Sequence, residues 1–182
     1  MRIIAGKYKG LKLNEFEFDN IRPTIDRVRE SIFNKIQFNI VGSAVLDLFG
    51  GTGAVSLEFV SRGAEKVFTV DNNKNSIKLI KQNFAKAKAD LNLFEMSYED
   101  ALKKFKGKYK FDIIFLDPPF NTDLGIKALN LIVEYGLLNE DGVVVYEHFQ
   151  DEKYDFPKEL QVFDERKYGT VKVSYLEGAQ NG

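Results

Sequence analysis

Phe111-Asp112-Ile113-Ile114-Phe115-Leu116-Asp117-Pro118-Pro119-Phe120 is the stretch that decides the fold. Phe111 to Leu116 is a short apolar run, the pattern of a strand buried on both faces of a parallel sheet. Asp117 precedes proline, which disfavours helix and holds it extended as the chain leaves the sheet. Pro118 and Pro119 have no N–H, so the ladder stops there and the Pro118 carbonyl is free to point outward. The result is a rigid ledge at a strand's carboxyl end, with two acceptors and an aromatic face. Such a ledge suits a flat ring bearing an exocyclic NH2. The Asp117 carboxylate and the Pro118 carbonyl would each accept one N–H, with Phe120 stacked on the ring. A plain strand followed by a Pro-Pro turn accounts for the same residues without any chemistry.

Upstream, Ala44 to Phe49 reads as a buried strand that Gly50-Gly51-Thr52-Gly53 turns into a helix beginning near Ala54. Glycines let the backbone turn tightly and approach a ligand, and a helix N-terminus adds free N–H donors. The spacing is close to the dinucleotide fingerprint, with Ser56 in the place of its third glycine. Nucleotide-dehydrogenase and methyltransferase folds both use such a turn. A second strand, Lys66 to Val70, closes on Asp71, 24 positions after Asp47, where a carboxylate can grip ribose hydroxyls. A helix over 75–88 places Ile77, Ile80 and Phe84 on one face. A third strand covers 91–96, and Ser97 to Ala101 opens the next helix. Further on come a helix over about 121–135, a fifth strand over 142–146, and two edge strands over 161–166 and 171–176. This alternation predicts an open, mostly parallel α/β sheet of seven strands with helices on both faces. His148 is the only histidine, so no His-based constellation can be assembled, and a packing role is expected.

The chain has 182 residues, 44% hydrophobic and 29% charged, with no cysteine. That length suits one domain with a substantial core. The lack of cysteine rules out disulfides, thiolate catalysis and Cys-based zinc sites. No apolar run approaches the roughly 18 residues of a membrane span, and nothing resembles a signal peptide, so a cytoplasmic protein is expected. Net charge is −1, yet residues 1–40 carry eight basic against five acidic side chains. Arg2, Lys7, Lys9 and Lys12 form a local basic arm able to meet phosphates. Arg2–Gly6 and Gly10–Leu13 predict a hairpin, and a helix capped by Thr24 or Asp26 is expected to run to about Phe38.

Two resemblances follow from these residues. The Asp117-Pro118-Pro119-Phe120 ledge resembles the Asp/Asn-Pro-Pro-aromatic signature of S-adenosyl-L-methionine (SAM)-dependent amino-methyltransferases. Arg2-Ile-Ile-Ala-Gly-Lys-Tyr-Lys-Gly10, with Arg22-Pro-Thr-Ile-Asp-Arg-Val-Arg-Glu-Ser-Ile-Phe-Asn34, resembles the N-terminal signature of the RsmD family, and the likeness runs to about Tyr175. It implies a Rossmann-like class I methyltransferase: a catalytic core over 41–182 and an N-terminal hairpin-plus-helix extension over 1–40. It also implies methylation of a guanine N2 amine in 16S rRNA, or in the small ribosomal subunit, with SAM as cofactor, no metal, no membrane and a monomeric enzyme. Asp117, Pro118, Pro119 and Phe120 would form the catalytic ledge. Asp47, Phe49, Gly51, Gly53, Asp71, Asn72, Asp100 and Ala101 would bind the cofactor, Asp100 taking the adenine amino group. The family often carries Glu where Asp71 stands, which keeps the charge with one methylene fewer. Arg2, Lys7, Lys9, Lys12, Arg22 and Arg27 would contact RNA. The rival readings are an amino-methyltransferase acting on DNA adenine or cytosine or on a protein glutamine, and a non-catalytic SAM-binding module of the ribosome.

Overall fold

The computed structural model describes residues 1–17, 22–153 and 155–180, with the side chains of 22–25 outside the description. After α1 (Arg22–Lys35), strands and helices alternate: β1 (Ala44–Asp47), α2 (Ala54–Ser61), β2 (Lys66–Asp71), α3 (Lys74–Ala87), β3 (Asn92–Glu95), α4 (Tyr98–Phe105), β4 (Phe111–Leu116) and α5 (Leu124–Glu134). β5 (Leu138–Phe149), β6 (Leu160–Tyr168) and β7 (Val171–Gly178) complete the sheet. Its order is β3-β2-β1-β4-β5-β7-β6. The first five strands run parallel, and β7 pairs antiparallel with β5 and β6. The mostly parallel seven-stranded α/β sheet expected from the sequence is present.

Apolar strand residues face both ways, as a doubly covered sheet requires. Leu46, Ile114, Leu116 and Val144 pack toward α4 and α5. Val45, Ile113, Phe115 and Val145 pack toward α1 and Phe59 of α2. From β1 the chain builds outward to β2 and β3, then crosses back to β4 on the other side. The strand order therefore reverses between β1 and β4, and a crevice opens at their carboxyl ends, where ligands bind in such sheets.

The hairpin expected over Arg2–Leu13 is present in short form: Arg2 and Lys12 form an antiparallel bridge, Ile3 N–H donates to the Leu11 carbonyl at 3.0 Å, Gly10 N–H to the Ile3 carbonyl at 2.8 Å and Leu13 N–H to the Met1 carbonyl at 2.9 Å. Beyond these pairs the arm's backbone is engaged by α2. The N–H groups of Ile4 and Ala5 donate to the Glu58 carboxylate at 2.9 and 3.1 Å, and Tyr8 N–H donates to Ser61 Oγ at 2.9 Å. Lys7 N–H donates to the Ser61 carbonyl at 2.8 Å. Gly6 permits this approach: its φ is +86°, and an added Cβ would stand 2.0 Å from the Ser61 oxygen. Ile3 and Leu13 then bury against Leu57, Ile80 and Phe84. The first helix also differs from expectation. It begins at Arg22, ahead of both candidate caps, and ends at Lys35, followed by a short 3₁₀ turn over Gln37–Asn39. Phe38 is 94% exposed, so no packing extends the helix to it.

Candidate active site

A cavity of about 610 Å³ lies at the β1/β4 reversal. Asp47, Phe49, Gly51, Asp117 and Phe120 line it, together with Glu147 and Phe149 from the end of β5, Arg29 and Phe33 from α1, and the Tyr168–Thr170 turn. Met1 and Phe16 of the arm also reach it. Of the cofactor-side and ledge residues singled out in the sequence, the lining brings together Asp47, Phe49, Gly51, Asp117 and Phe120. Gly53, Asp71, Asn72, Asp100, Ala101, Pro118 and Pro119 are not part of that lining.

On the β1 side, Asp47 is fully buried. Its Oδ2 accepts from Ser56 Oγ at 2.7 Å, and Ser56 Oγ in turn meets Thr69 Oγ1 at 2.7 Å. The residue in the third-glycine position is thus what fixes the carboxyl. Asp47 Oδ1 has no hydrogen-bond partner. Burial pushes this carboxyl up to about 8, the Asp117 and Asp71 charges adding and the Ser56 hydrogen bond opposing. A cation beside Oδ1 would relieve both the missing partner and the desolvation. Gly53 caps α2 in the left-handed region at φ +83°. Gly51 has nothing within 4 Å of where its Cβ would be, so backbone is bare to the crevice there.

Asp71 braces this turn. Its Oδ2 accepts from Gly51 N–H at 2.9 Å and its Oδ1 from Asn73 N–H at 2.8 Å. Asn72 follows, exposed, at the strand end. Asp100 is exposed in the first turn of α4, and the cap of that helix is Ser97, whose Oγ accepts from Asp100 N–H at 3.1 Å. Ala101 is buried in the core, and its N–H donates to the Ser97 carbonyl at 3.0 Å. Neither its side chain nor its N–H is open to a ligand. Phe49 sits at the cavity wall, 5.7 Å from the Tyr98 ring.

On the β4 side, Leu116 pairs with Tyr146, which puts Asp117 and Glu147 side by side one step further along adjacent strands. Asp117 is solvent-accessible through the cavity while ringed closely by protein. Burial raises its carboxyl to about 7, a value that belongs to the site once water is displaced more than to the open cleft. Burial and the Asp117 charge hold Glu147 well above the carboxylate range. Two neighbouring carboxyls so placed ionise one at a time.

The ledge is clamped. Glu152 Oε1 accepts from Asn121 N–H at 3.0 Å and its Oε2 from Phe149 N–H at 3.3 Å, tying the loop after Phe120 to the end of β5. Thr122 Oγ1 donates to the Pro119 carbonyl at 2.6 Å. Asn121 takes φ +60° in the resulting turn. Phe120 is 41% exposed and stacks on Phe149, ring centroids 4.2 Å apart at 23°. One of its faces is therefore covered within the protein, which the sequence reading did not anticipate. His148 is buried, with Nδ1 2.9 Å from the Phe149 carbonyl and Nε2 2.8 Å from Ser174 Oγ, so it packs as expected.

Arg2, Lys7, Lys9, Lys12 and Arg27 are exposed. The Arg22 side chain lies outside the described residues. Among the described residues no group of three His, Asp or Glu side chains could hold a metal ion, and no helix is long and apolar enough to cross a membrane.

The family described as "Conserved hypothetical protein 95" matches residues 1–177. The chain belongs to this family, the RsmD family. Ribosomal RNA small subunit methyltransferase D of Haemophilus influenzae is 33% identical over 174 residues, covering 94% of this chain and 90% of that protein. YlbH of Bacillus subtilis, whose rRNA methyltransferase assignment is itself inferred, is 36% identical, with 96% and 97% covered. Among solved structures, yhhF of Escherichia coli, likewise assigned as a methyltransferase by inference, superposes with a TM-score of 0.86 at 30% identity, covering 99% of each chain. The RsmD-type class I methyltransferase fold thus extends over the whole chain, arm included.

Proposed function

We propose that this chain methylates the exocyclic N2 amine of a guanine in small-subunit (16S) rRNA, with SAM as methyl donor, in the cytoplasm. The observation that carries the reading is one cavity at the β1/β4 reversal that two carboxyls share: buried Asp47, with an unpartnered oxygen, and open Asp117. The relatives named as rRNA methyltransferases, one of them acting on the small subunit, support the substrate class.

The Gly51 turn, Asp47, Phe49 and Asp71 fit the cofactor: bare backbone, a carboxylate short of a partner and a second carboxylate at the next strand end. When bound, SAM supplies an electrophilic methyl group on a sulfonium. The remaining steps fall to the chain's own residues. Asp117, and the Pro118 carbonyl beside it in the chain, would hold and orient the two amine N–H groups. A guanine N2 lone pair is delocalised into its ring, and an ionised acceptor on its N–H restores nucleophilicity. The Asp117 carboxylate would stabilise the positive charge that methylation brings to that nitrogen. The proton then leaves to Asp117 or to water. Phe120, backed by Phe149, offers its free face to the extruded base. The arm lies beside the cavity through Met1 and Phe16, so its exposed cations can hold the flanking phosphates.

The test is mass mapping of 16S rRNA from cells with and without the gene, followed by SAM-dependent restoration with purified protein. Loss and restoration of one N2-methylguanine are expected. Unchanged methylation of the small-subunit rRNA would refute the reading.

A further inference from the structure

Glu147 has no part in the chemistry above, yet its carboxyl shares the cavity with the ledge. β5 lies between β4 and β7: Glu147 pairs with Val173 on one side and follows the Tyr146–Leu116 pair on the other. Side chains alternate along a strand, so Asp117 and Glu147 both turn to the α1 face, as Phe115 and Val145 do two residues earlier. Phe149, two residues further on, takes the same side and stacks on the Phe120 ring at 4.2 Å. One strand, paired on both edges, therefore supplies a carboxyl beside the ledge and the backing of its aromatic face. Glu147 is partly exposed and lines the cavity. Among the described residues no cation or hydrogen-bond donor meets its carboxyl: burial and the Asp117 charge raise it, with nothing opposing. Two such neighbours ionise one at a time, so with one of them charged the pair retains a proton.

With the charge on Asp117, the pair presents an acceptor there and, at Glu147, a carboxylic acid whose C=O accepts and whose O–H donates. Guanine is the base whose edge runs in the complementary order: amine donor, N1–H donor, O6 acceptor. Adenine passes from its amine to an acceptor nitrogen and then a C–H, and cytosine to two acceptors. Each can make one hydrogen bond to such an acid where guanine makes two. Resting on the N2-methylation reading, we propose that Glu147 is the residue that reads the base: its carboxyl pairs with the N1–H and O6 of the target guanine while Asp117 holds the amine. Phe149, behind Phe120, fixes the plane in which that edge is presented.

The alternative is that Glu147 only tunes the Asp117 carboxyl through its charge. Small subunits rebuilt by ligation separate the two. Their target nucleotide, located by mass mapping, is either guanine or 2-aminopurine, which keeps the 2-amine and lacks both the N1–H and O6. In single-turnover methylation saturating in SAM, wild-type protein should prefer guanine by roughly 10- to 100-fold, the cost of leaving the reading groups unpaired. In Glu147→Ala the guanine rate should fall toward the 2-aminopurine rate and the preference shrink by about the same factor, the mark of direct coupling. Glu147→Gln, whose amide also accepts from N1–H and donates to O6, should restore the preference. Tuning of Asp117 acts on both substrates alike, so an undiminished preference in Glu147→Ala overturns the proposal. Should Glu147→Ala fail to fold, Glu147→Met keeps the volume and gives the same readout, and equal wild-type rates on the two substrates overturn the proposal without any variant. Failure of wild-type protein to methylate the guanine subunit at all would instead refute the underlying N2-methylation reading.

Discussion

Asp117 gives the sharpest handle on the chemistry, because its role requires charge and its surroundings oppose charge. Burial lifts the carboxyl to about 7, against the ordinary carboxylate range near 4. Only the ionised form can stabilise the positive nitrogen, so the rate should rise with pH through that value and level off above it. With an apparent value of about 7, roughly a tenth of the enzyme is active at pH 6 and about nine-tenths at pH 8, an increase close to tenfold. The direction follows from the acid: protonation removes activity, so the loss lies on the acidic side. Burial and the Asp117 charge raise the Glu147 carboxyl as well, so the two neighbouring carboxyls share this limb. Asp117→Asn keeps an acceptor oxygen but cannot titrate, and should give a flat profile at a reduced rate. Asp117→Ala should cost about 10²–10³ in the chemical step with SAM affinity intact. The assay is single-turnover methylation of small-subunit rRNA, saturating in SAM and RNA, across pH 5.5–8.5. A flat wild-type profile, or an acidic limb that survives in Asp117→Asn, would refute the assignment.

Further outcomes follow from other parts of the molecule. Asp47, raised to about 8 in the ligand-free cavity, must lose a proton to receive a cation. SAM affinity should therefore strengthen from pH 6.5 through 8 and level off near pH 9, about one unit above that value, with proton release visible as a buffer-dependent binding enthalpy; a pH-independent affinity would count against this. Glu58→Ala strips a fully buried carboxylate from Arg62 and from the Ile4 and Ala5 N–H groups, and should destabilise the fold by about 3–5 kcal/mol in urea unfolding. Neutralising the Arg2, Lys7, Lys9 and Lys12 side chains together should leave SAM binding unchanged, weaken RNA binding and flatten its salt dependence; equal loss of SAM affinity would make the arm's charges structural. Phe120→Ala should weaken RNA capture by roughly 1–3 kcal/mol, measured as a shift in Kd with SAM affinity constant.

The parts of this site legible in the sequence are those whose signal is local. β4 spans the residues its apolar run marks out, because both faces are buried and its one polar residue, Asp112, is taken up by the Ala44 N–H and Asn139 Nδ2 donors. The glycine turn and Asp117 were found because strand ends announce themselves by where apolar runs stop, and Asp47 by its spacing from Asp71 and the family resemblance. The arm's hairpin was legible for the same reason, but its docking on α2 was not. Glu58 and Ser61, which take its remaining backbone N–H groups, lie more than fifty residues away and left no trace in the arm's own pattern. Polar Asn139 to Asp141 masked the start of β5, which extends to twelve residues because β4 and β7 pair with it on either side.

Glu147 and Arg29 were missed although each left a mark. Glu147 ends the Val143–Tyr146 apolar run as Asp117 ends that of β4, and adjacent parallel strands bring such closing acids together. Arg29 lies four residues before Phe33 and three before Ile32, on the stripe of α1 that packs into the core. A charge on an apolar helical face cannot stay there unmatched. Glu58 and Asp26 balance the Arg29 charge, and the Arg2 carbonyl takes one of its donors. The residue a composition count files under a basic arm is, by its position on the helix, part of the cavity wall.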